Sequence, residues 1–357
     1  MGVNFSICLT VKNEAKTLPR LLVSLREFRE RGGEICVLDT GSTDTTVEVA
    51  KSFGCKVEEV GDMYLKTLTA EKASKVNQAF IVGGEEPILK EGDTFFCFNR
   101  ARNHVAKMAS NDMILGLDAD EEVTRLDIDK IHEWIEMGFT HLDYIQVFTH
   151  DKEGNPEVEF LQCKFYDRRV YHWENNTHEM LIGDGRRGTL DKETFLLEHW
   201  QDAEKNRSGY MKGLAVDCFL HPHKDRQCQY FARELFYSGR ILSAKKEFER
   251  HLKMVLPPPE YPTTPTRLDS WLFLGNIYGR MGDLKKELEC YVNAMEDDPT
   301  NRRPIERMAQ FYQWHGDKKK AAEYALKAAA FPWDEKYGGA RAHFSDIING
   351  IINWSLI

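Results

Sequence analysis

The sequence lacks the features that mark several familiar protein classes. Its eight cysteines include no C-x-x-C pair, and we expect reduced thiols in a cytoplasmic protein. No apolar run approaches the roughly 18 residues of a membrane span, and no basic start precedes a signal-type apolar region. An excess of positive charge is also lacking, because 48 Lys and Arg against 57 Asp and Glu give a net charge of −9. This balance offers no overall attraction to nucleic acid or to anionic lipid.

The usual phosphate-binding loops are missing as well. No G-x-G-x-x-G follows the first predicted strand, and no P-loop is present. At 357 residues the chain is long enough for two domains, and its 42% hydrophobic and 29% charged content is that of an ordinary globular protein.

The first 120 residues alternate between predicted strands and helices. The apolar runs "FSICLTV", "EICVLD" and "CKVEEV" predict three strands, and the segments between them have helical spacing. This order favours a parallel sheet covered by helices. Residues 61–96 are less regular and predict a surface insertion or flap. Thr124 and Asp127 resemble a capping box, which predicts a helix from there to about Met137. Residues 143–199 are rich in β patterns and include a predicted hairpin around "DKEGNP".

From about residue 226 the sequence becomes helical and repetitive. Gly239, Gly282 and Gly316 occupy equivalent turns, and the small residues Gly275 and Ala309 lie seven positions before the last two. The segment "WLFLGNIYGRMGDLKKELECYVNAMEDDP" fits the tetratricopeptide pattern. We therefore predict an all-α domain over residues 206–357 with about three tetratricopeptide-like repeats, about the minimum for a stable stack.

An unusual acidic cluster ends a predicted core strand in "LGLDADEEVT". Asp118, Asp120, Glu121 and Glu122 repel one another, so the cluster is either solvated or balanced by positive charge. In an open parallel sheet, ligands bind at the carboxyl ends of the strands, where "TVKNE" and "LDTGSTD" also converge. Without a phosphate-binding loop, a carboxylate pair suggests Mg²⁺ or Mn²⁺ holding phosphate oxygens.

Three blocks of the chain resemble a family 2 glycosyltransferase of the GT-A fold. They are "SICLTVKNEAKTLPRLLVSL", "EICVLDTGSTDTTVEVAKSFG" and "FNRARNHVAKMASNDMILGLDADE", which cover most of residues 4–122. The resemblance implies an α/β GT-A domain over residues 1–205, a fold of nucleotide-diphospho-sugar transferases. Followed by tetratricopeptide-like helices, such a domain is similar to certain bacterial and phage enzymes that glycosylate peptides.

The resemblance also implies roles for individual residues on the donor side. Asp39 would contact the base or ribose, Arg102 would add positive charge, and Asp118 would contact the ribose or the metal. Asp120 would bind the metal directly. The remaining implied nucleotide-binding residues are Thr10, Val11, Asn13, Glu14 and Ala119.

On the acceptor side, "NNTHEML" and "LLEHW" resemble histidine-bearing segments of related transferases. An inverting transfer needs a general base, and Glu179 is our choice. Either His199 or His178 would be the third metal ligand, with His199 preferred.

The predicted function is a metal-dependent, inverting transfer of a sugar from a nucleotide-diphosphate sugar donor. A UDP sugar is the preferred donor. The acceptor would be a peptide or protein, a glycan or, in a phage, a DNA base, although the negative charge weakens the last option. The repeats would recruit the acceptor or a second subunit in a homodimer. One alternative is a non-catalytic tetratricopeptide adaptor with a degenerate transferase domain. A nucleotidyltransferase would need a glycine-rich basic loop after the first strand, which "TVKNEAKTLP" does not supply. A phosphatase of the D-x-D-x-T type would need that motif on the first strand, whereas the D-x-D of this chain comes later.

Overall fold

The structure, a computed structural model, describes residues 2–151, 153–200, 209–254, 267–331 and 341–356, with side chains omitted for 341–346. The chain divides into two compact units. Unit 1 consists of Met1–Thr67 and Thr94–Gly213, and unit 2 consists of Leu68–Asp93 and Leu214–Ile357. This division differs from the predicted one, since most of the segment interpreted as a flap groups with the helices of unit 2.

Unit 1 is built on a mixed sheet. The strands are β1 (Phe5–Val11), β2 (Glu34–Asp39), β3 (Lys56–Glu59), β6 (Met113–Leu117), β7 (Glu121–Leu126), β8 (His141–His150), β9 (Pro156–Asp167), β12 (Arg187–Thr189) and β13 (Phe195–His199). Their order is β3-β2-β1-β6-β9-β8-β13-β7, and β12 pairs with β8. The first four strands are parallel, so β1, β2 and β6 end at one edge, as predicted. The predicted hairpin is the antiparallel pair β8 and β9.

Five helices of unit 1 accompany this sheet. They are α1 (Leu18–Ser24), α2 (Arg26–Glu30), α3 (Thr46–Ser52), α5 (Phe98–Met108) and α6 (Ile128–Glu136). The main core lies between the sheet and these helices, with Phe5, Leu9, Phe28 and Phe165 fully buried. Two small hairpin-like sheets complete the unit: β4 (Leu65–Thr67) with β5 (Thr94–Phe96), and β10 (His172–Glu174) with β11 (Met180–Ile182).

The prediction that a helix begins at Thr124 is wrong. Residues Glu121–Leu126 form strand β7, which pairs antiparallel with β13. The helix begins only at Ile128, where the Asp127 side chain accepts a hydrogen bond from the Lys130 N–H. Pairing with a strand about 70 residues later therefore overrides a local pattern that is typical of a helix start.

Unit 2 consists largely of helical hairpins. The pairs are α8 (Asp225–Tyr237) with α9 (Ile241–His251), α10 (Arg267–Arg280) with α11 (Leu284–Asp297), and α12 (Arg303–Trp314) with α13 (Lys318–Ala330), followed by α14 (Arg341–Leu356). The three aligned glycines lie between the paired helices with positive φ, near +80°. Gly275 lies against the Tyr291 ring, where an added Cβ would be 2.4 Å from Cε1. The small residue of this repeat thus lies where the paired helices approach each other closely.

The segment Leu68–Asp93 packs within unit 2. Its helix α4 (Ala70–Phe80) places Phe80 with its ring centroid 4.8 Å from that of Phe231 on α8. The Glu85 carboxylate accepts hydrogen bonds from the Leu242 and Ser243 N–H groups at the start of α9. A carboxylate there satisfies helix N–H groups that lack an intrahelical partner.

Helix α7 (Gly209–Leu220) precedes the helical hairpins in the chain. Its first residues, up to Gly213, belong to unit 1. No helix in the described ranges is long and apolar enough to cross a membrane.

Candidate active site

A cavity of about 530 Å³ opens in unit 1 where the parallel strands end. Thr10 and Val11 come from the end of β1, Thr40 follows β2, and Asp118 follows β6. The full lining consists of Thr10, Val11, Lys12, Glu14, Thr40, Leu65, Phe96, Phe98, Arg102, Asp118, Ala119, Asp120, Glu179, His199 and Tyr210. The fold therefore gathers most of the predicted site residues in one place.

Asp118 is held by two cationic side chains. Its Oδ1 accepts a hydrogen bond from Arg102 Nη2 at 3.0 Å, and its Oδ2 accepts one from Lys164 Nζ at 2.5 Å. Burial alone raises the pKa of Asp118, but Lys164 and Arg102 outweigh it and hold that pKa far below its ordinary value. The positive charge that the sequence requires near this carboxylate thus comes from the protein itself.

Lys164 also joins Glu121 to the cluster. Its Nζ lies 3.2 Å from Glu121 Oε1, which accepts a further hydrogen bond from Gln146 Nε2 at 2.7 Å. Glu121 Oε2 accepts a hydrogen bond from the Asp118 N–H at 2.7 Å. Glu121 thus fixes the backbone of the turn over residues 118–121, which we call the acidic turn. Burial raises the pKa of Glu121, and Lys164 opposes this shift. Glu121 is therefore a structural support beneath the cavity.

Asp120 and His199 both line the cavity, with 3.6 Å between Asp120 Oδ2 and His199 Nε2. The other ring nitrogen, Nδ1, lies 3.4 Å from the Phe148 carbonyl oxygen, and the His199 ring stacks on Phe148. Burial lowers the pKa of His199, but the interactions with Asp120 and Phe148 more than offset this and raise that pKa.

The Asp120 and His199 side chains suit a divalent cation. With an Nδ1 proton directed at the Phe148 carbonyl, Nε2 presents a lone pair toward a carboxylate oxygen, an arrangement that calls for a proton or a metal between them. Mn²⁺ and Mg²⁺ leave coordination positions for phosphate oxygens, so two protein ligands are a compatible set. In the described part of the chain, no group of three His, Cys, Asp or Glu side chains is arranged around one metal position.

Glu179 lies immediately before β11 and is connected to the acidic turn through Arg102. Arg102 Nε donates a hydrogen bond to Glu179 Oε1 at 2.7 Å, and its guanidinium lies 5.3 Å from the centroid of the Trp173 ring. Arg102 thereby orients the carboxylates of Glu179 and Asp118 at once. No described residue donates a hydrogen bond to Glu179 Oε2.

Three predicted site residues do not line the cavity. Asp39 is buried and accepts hydrogen bonds from the Gly41 and Ser42 N–H groups, which fixes the turn after β2. Asn13 adopts a left-handed conformation (φ 56°), and its Oδ1 accepts the Thr43 N–H at 2.7 Å. Both residues shape the loops that follow β1 and β2 beside the cavity, and their direct contact with a donor stays a prediction.

His178 is the third of these residues. It also has a positive φ, 52°, and its ring lies 5.8 Å from that of Tyr210. It is absent from the cavity lining, whereas His199 is present, so the geometry favours His199 among the two candidate histidines.

The structure adds site residues that the sequence analysis missed. Lys164 lies on β9, far from the three blocks, and becomes visible only because β9 pairs with β6. The lining residues that the sequence analysis did not name are Leu65, Phe96, Phe98, Tyr210, Lys12 and Thr40. Phe98 had an available sequence signal, since it precedes Arg102 by four positions on a predicted helix.

The chain is similar in sequence to known proteins. Residues 6–60 match the family model described as Glycosyl transferase family 2. A curated TPR repeat-containing protein from Synechococcus elongatus is 24% identical over 330 residues, which cover 87% of this chain and 68% of that relative.

Solved structures with remote likeness include S. aureus TarS 1-349 in complex with UDP-GlcNAc. It is 13% identical, with 83% of this chain and 91% of TarS covered and a TM-score of 0.41, and the match to a longer TarS chain covers 55% of that chain. The Yersinia enterocolitica chaperone SycD, in complex with a peptide of the translocator YopD, is 16% identical over 36% of this chain and 89% of SycD, with a TM-score of 0.30.

The predicted fold class is confirmed by the α/β sheet of unit 1 and by the helical hairpins of unit 2. Residues 6–60 match the family 2 glycosyltransferase model, and unit 2 has the helical hairpins that the tetratricopeptide-like pattern predicts.

Proposed function

We propose that this protein transfers a sugar, with inversion, from a nucleotide diphosphate, and that the donor is a UDP sugar. One observation carries the proposal: Asp120 and His199 converge in the same cavity as the linked side chains of Asp118, Arg102 and Glu179. The site thus offers a metal-binding pair and a candidate base together at the carboxyl ends of parallel strands, where α/β sheets bind their ligands.

Glu179 is the proposed general base. Its Oε1 is restrained by Arg102, and its Oε2 accepts the proton of the acceptor hydroxyl as that oxygen attacks the anomeric carbon. The bond from the anomeric carbon to the diphosphate breaks, and the diphosphate leaves from the opposite face. Because attack and departure lie on opposite faces of the sugar, the anomeric configuration inverts.

Asp120 and His199 would hold Mn²⁺ or Mg²⁺, which when bound offsets charge on the leaving diphosphate. Asp118 and Arg102 would form the neighbouring wall of the donor site. Since both oxygens of Asp118 already bind protein cations, its proposed part is to fix Arg102 and the acidic turn rather than to carry the metal alone.

The nucleotide end of the cavity would be formed by the β1 and β2 strand ends. Thr10 Oγ1 is buried there and has no hydrogen-bond partner among the described residues. A buried hydroxyl without a partner is costly, and a nucleotide oxygen or base edge would satisfy it. Val11, Glu14 and Ala119 share this lining.

A thermal-shift panel tests the proposal. UDP, GDP, CDP and dTDP are each added with and without Mn²⁺, and we expect one nucleotide with Mn²⁺ to raise the melting temperature by about 5 °C or more at a hundredfold excess over Kd. Asp120→Ala should abolish this shift, whereas Asp129→Ala, at an exposed site that pairs with Arg31 and does not line the cavity, should keep it.

If a well-folded protein shows no shift with any nucleotide, the transferase proposal fails and the adaptor alternative takes its place. The proposed acceptor is a glycan, a peptide or a protein, and the helical repeats of unit 2 are proposed to recruit it or to form a homodimer. A cytoplasmic location is part of the same proposal.

A further inference from the structure

Part of the cavity lining is aromatic. Phe96 ends β5, Phe98 begins α5, and Tyr210 lies in the first turn of α7, and all three side chains are half-buried. The Phe96 and Phe98 rings meet edge to face with centroids 4.8 Å apart, and the Phe98 and Tyr210 rings are parallel within 3° at 6.0 Å. We call Phe96, Phe98 and Tyr210 the aromatic platform.

The platform is held in place by the segment that precedes Glu179. The Phe98 N–H donates a hydrogen bond to the Asn176 carbonyl at 3.1 Å. In α7, Gly213 packs directly against Thr177, and a Cβ at that glycine would lie 2.0 Å from Thr177 Oγ1. The starts of both helices are therefore fixed against the residues just before Glu179.

The platform also borders Glu179 through side chains. Phe98 and Arg102 are four residues apart on α5 and so project from the same side of the helix. Arg102 contacts Glu179 at 2.7 Å, and the ring of His178, the residue before Glu179, lies 5.8 Å from that of Tyr210. The platform is thus tied to the proposed base, whereas Thr10 lies at the strand ends assigned to the nucleotide.

We propose that the aromatic platform and Glu179 form an acceptor subsite for a pyranose ring, so that the acceptor is a glycan. This inference rests on the proposed function. A pyranose has an apolar C–H face that packs on aromatic rings, and hydroxyl groups that donate to a carboxylate such as Glu179. Aromatic-lined grooves also bind Pro-rich peptides, but proline has no N–H or O–H group to donate to a carboxylate such as Glu179.

Ligand-observed saturation-transfer NMR tests the subsite. The probes are methyl β-glucopyranoside, methyl β-galactopyranoside and methyl N-acetyl-β-glucosaminide, together with a neutral acetylated Ser/Thr peptide. Each is added to the full chain with UDP and Mg²⁺, which is diamagnetic and does not broaden the proton signals. We expect at least one pyranoside to receive saturation at its ring protons. Phe98→Ala and Tyr210→Ala should each weaken the binding of that pyranoside by about five- to tenfold, because each removes one ring contact.

Controls separate this result from misfolding. Tyr210→Phe keeps the ring and should keep pyranoside binding, and Trp314→Ala removes an exposed aromatic ring of unit 2 that does not line the cavity. UDP affinity should stay within about twofold in all four variants, because the platform is assigned to the acceptor.

Three outcomes overturn the inference while UDP still binds. They are saturation of the peptide without any pyranoside, no saturation of any probe, and pyranoside binding that is unaffected in Phe98→Ala and Tyr210→Ala. If the wild-type protein binds none of the four nucleoside diphosphates, with or without Mn²⁺, the proposed function itself has failed.

Discussion

Replacing Lys164 by Met tests whether the buried charge cluster supports unit 1. Methionine keeps much of the length of the lysine side chain but removes its charge. The variant leaves Glu121, which is 2% exposed, without its cation and deprives Asp118 of one of two cations. Breaking a buried ion pair by removing one partner costs about 3–5 kcal/mol.

The lower end of that range applies here. The Asp118 side chain is 37% exposed toward the cavity and keeps Arg102, so water and the guanidinium screen its charge. Most of the penalty therefore falls on Glu121. We expect the free energy of opening in β6 and β9 to fall by about 3 kcal/mol, or roughly a hundredfold faster exchange.

Hydrogen exchange read by mass spectrometry measures this locally, with peptides from α11 of unit 2 as an internal reference. In the double variant Lys164→Met with Glu121→Gln, the uncompensated carboxylate is removed, and we expect about half of the lost protection to return. A loss below about 1 kcal/mol in Lys164→Met would refute the reasoning, since the pair would then contribute no more than an exposed one.

Three further predictions concern catalysis, acidity and packing. Glu179→Gln should lower kcat by about 10²- to 10⁴-fold without changing UDP affinity, and a loss below tenfold in steady-state assays would exclude the base role. Burial lowers the pKa of His251 to about 4, so below its ordinary value of 6.5 the unfolded chain takes up a proton that the folded chain does not. The stability of unit 2 should therefore fall by about 3 kcal/mol between pH 6.5 and pH 4 in urea titrations, and His251→Gln should flatten this slope. Gly275→Ala forces a methyl group against Tyr291 and should destabilise α10 and α11 by about 1–3 kcal/mol, whereas Gly350→Ala, in open space, should be neutral or stabilising by hydrogen exchange.

Local patterns in the sequence were enough to predict the parallel half of the sheet. Apolar runs separated by glycine stops define β1, β2 and β3, and their parallel pairing brings Val11 and Asp39 side by side. The repeat spacing likewise predicted a small residue between paired helices at Gly275, which lies against Tyr291. In both cases, the signal lies within one element or between sequence neighbours.

Long-range pairing produced what the sequence did not predict. Lys164 reaches Asp118 across 46 residues because β9 inserts beside β6, a pairing that no local pattern encodes. Strand β7 replaced the start of a predicted helix for the same reason, through its partner β13. The sequence analysis left the acidic residues either solvated or balanced by positive charge, first of all by a divalent cation. It did not identify Lys164, which with Arg102 holds Asp118.

The grouping of Leu68–Asp93 with the helices was also hidden. Its composition is that of a surface loop, and only the contact of Phe80 with Phe231 and the capping of α9 by Glu85 show where it packs. Such contacts depend on residues about 150 positions away, so the segment was interpreted as a flap.

The central claim is that Asp120 and His199 bind a divalent cation together with a nucleoside diphosphate. Calorimetric titration of UDP at increasing Mn²⁺ concentration tests it most directly, because two ligands that share a site must strengthen each other's binding. We expect saturating Mn²⁺ to raise UDP affinity at least about tenfold in the wild-type protein and to leave it unchanged in Asp120→Asn. Equal UDP affinity with and without Mn²⁺ in the wild-type protein would contradict it.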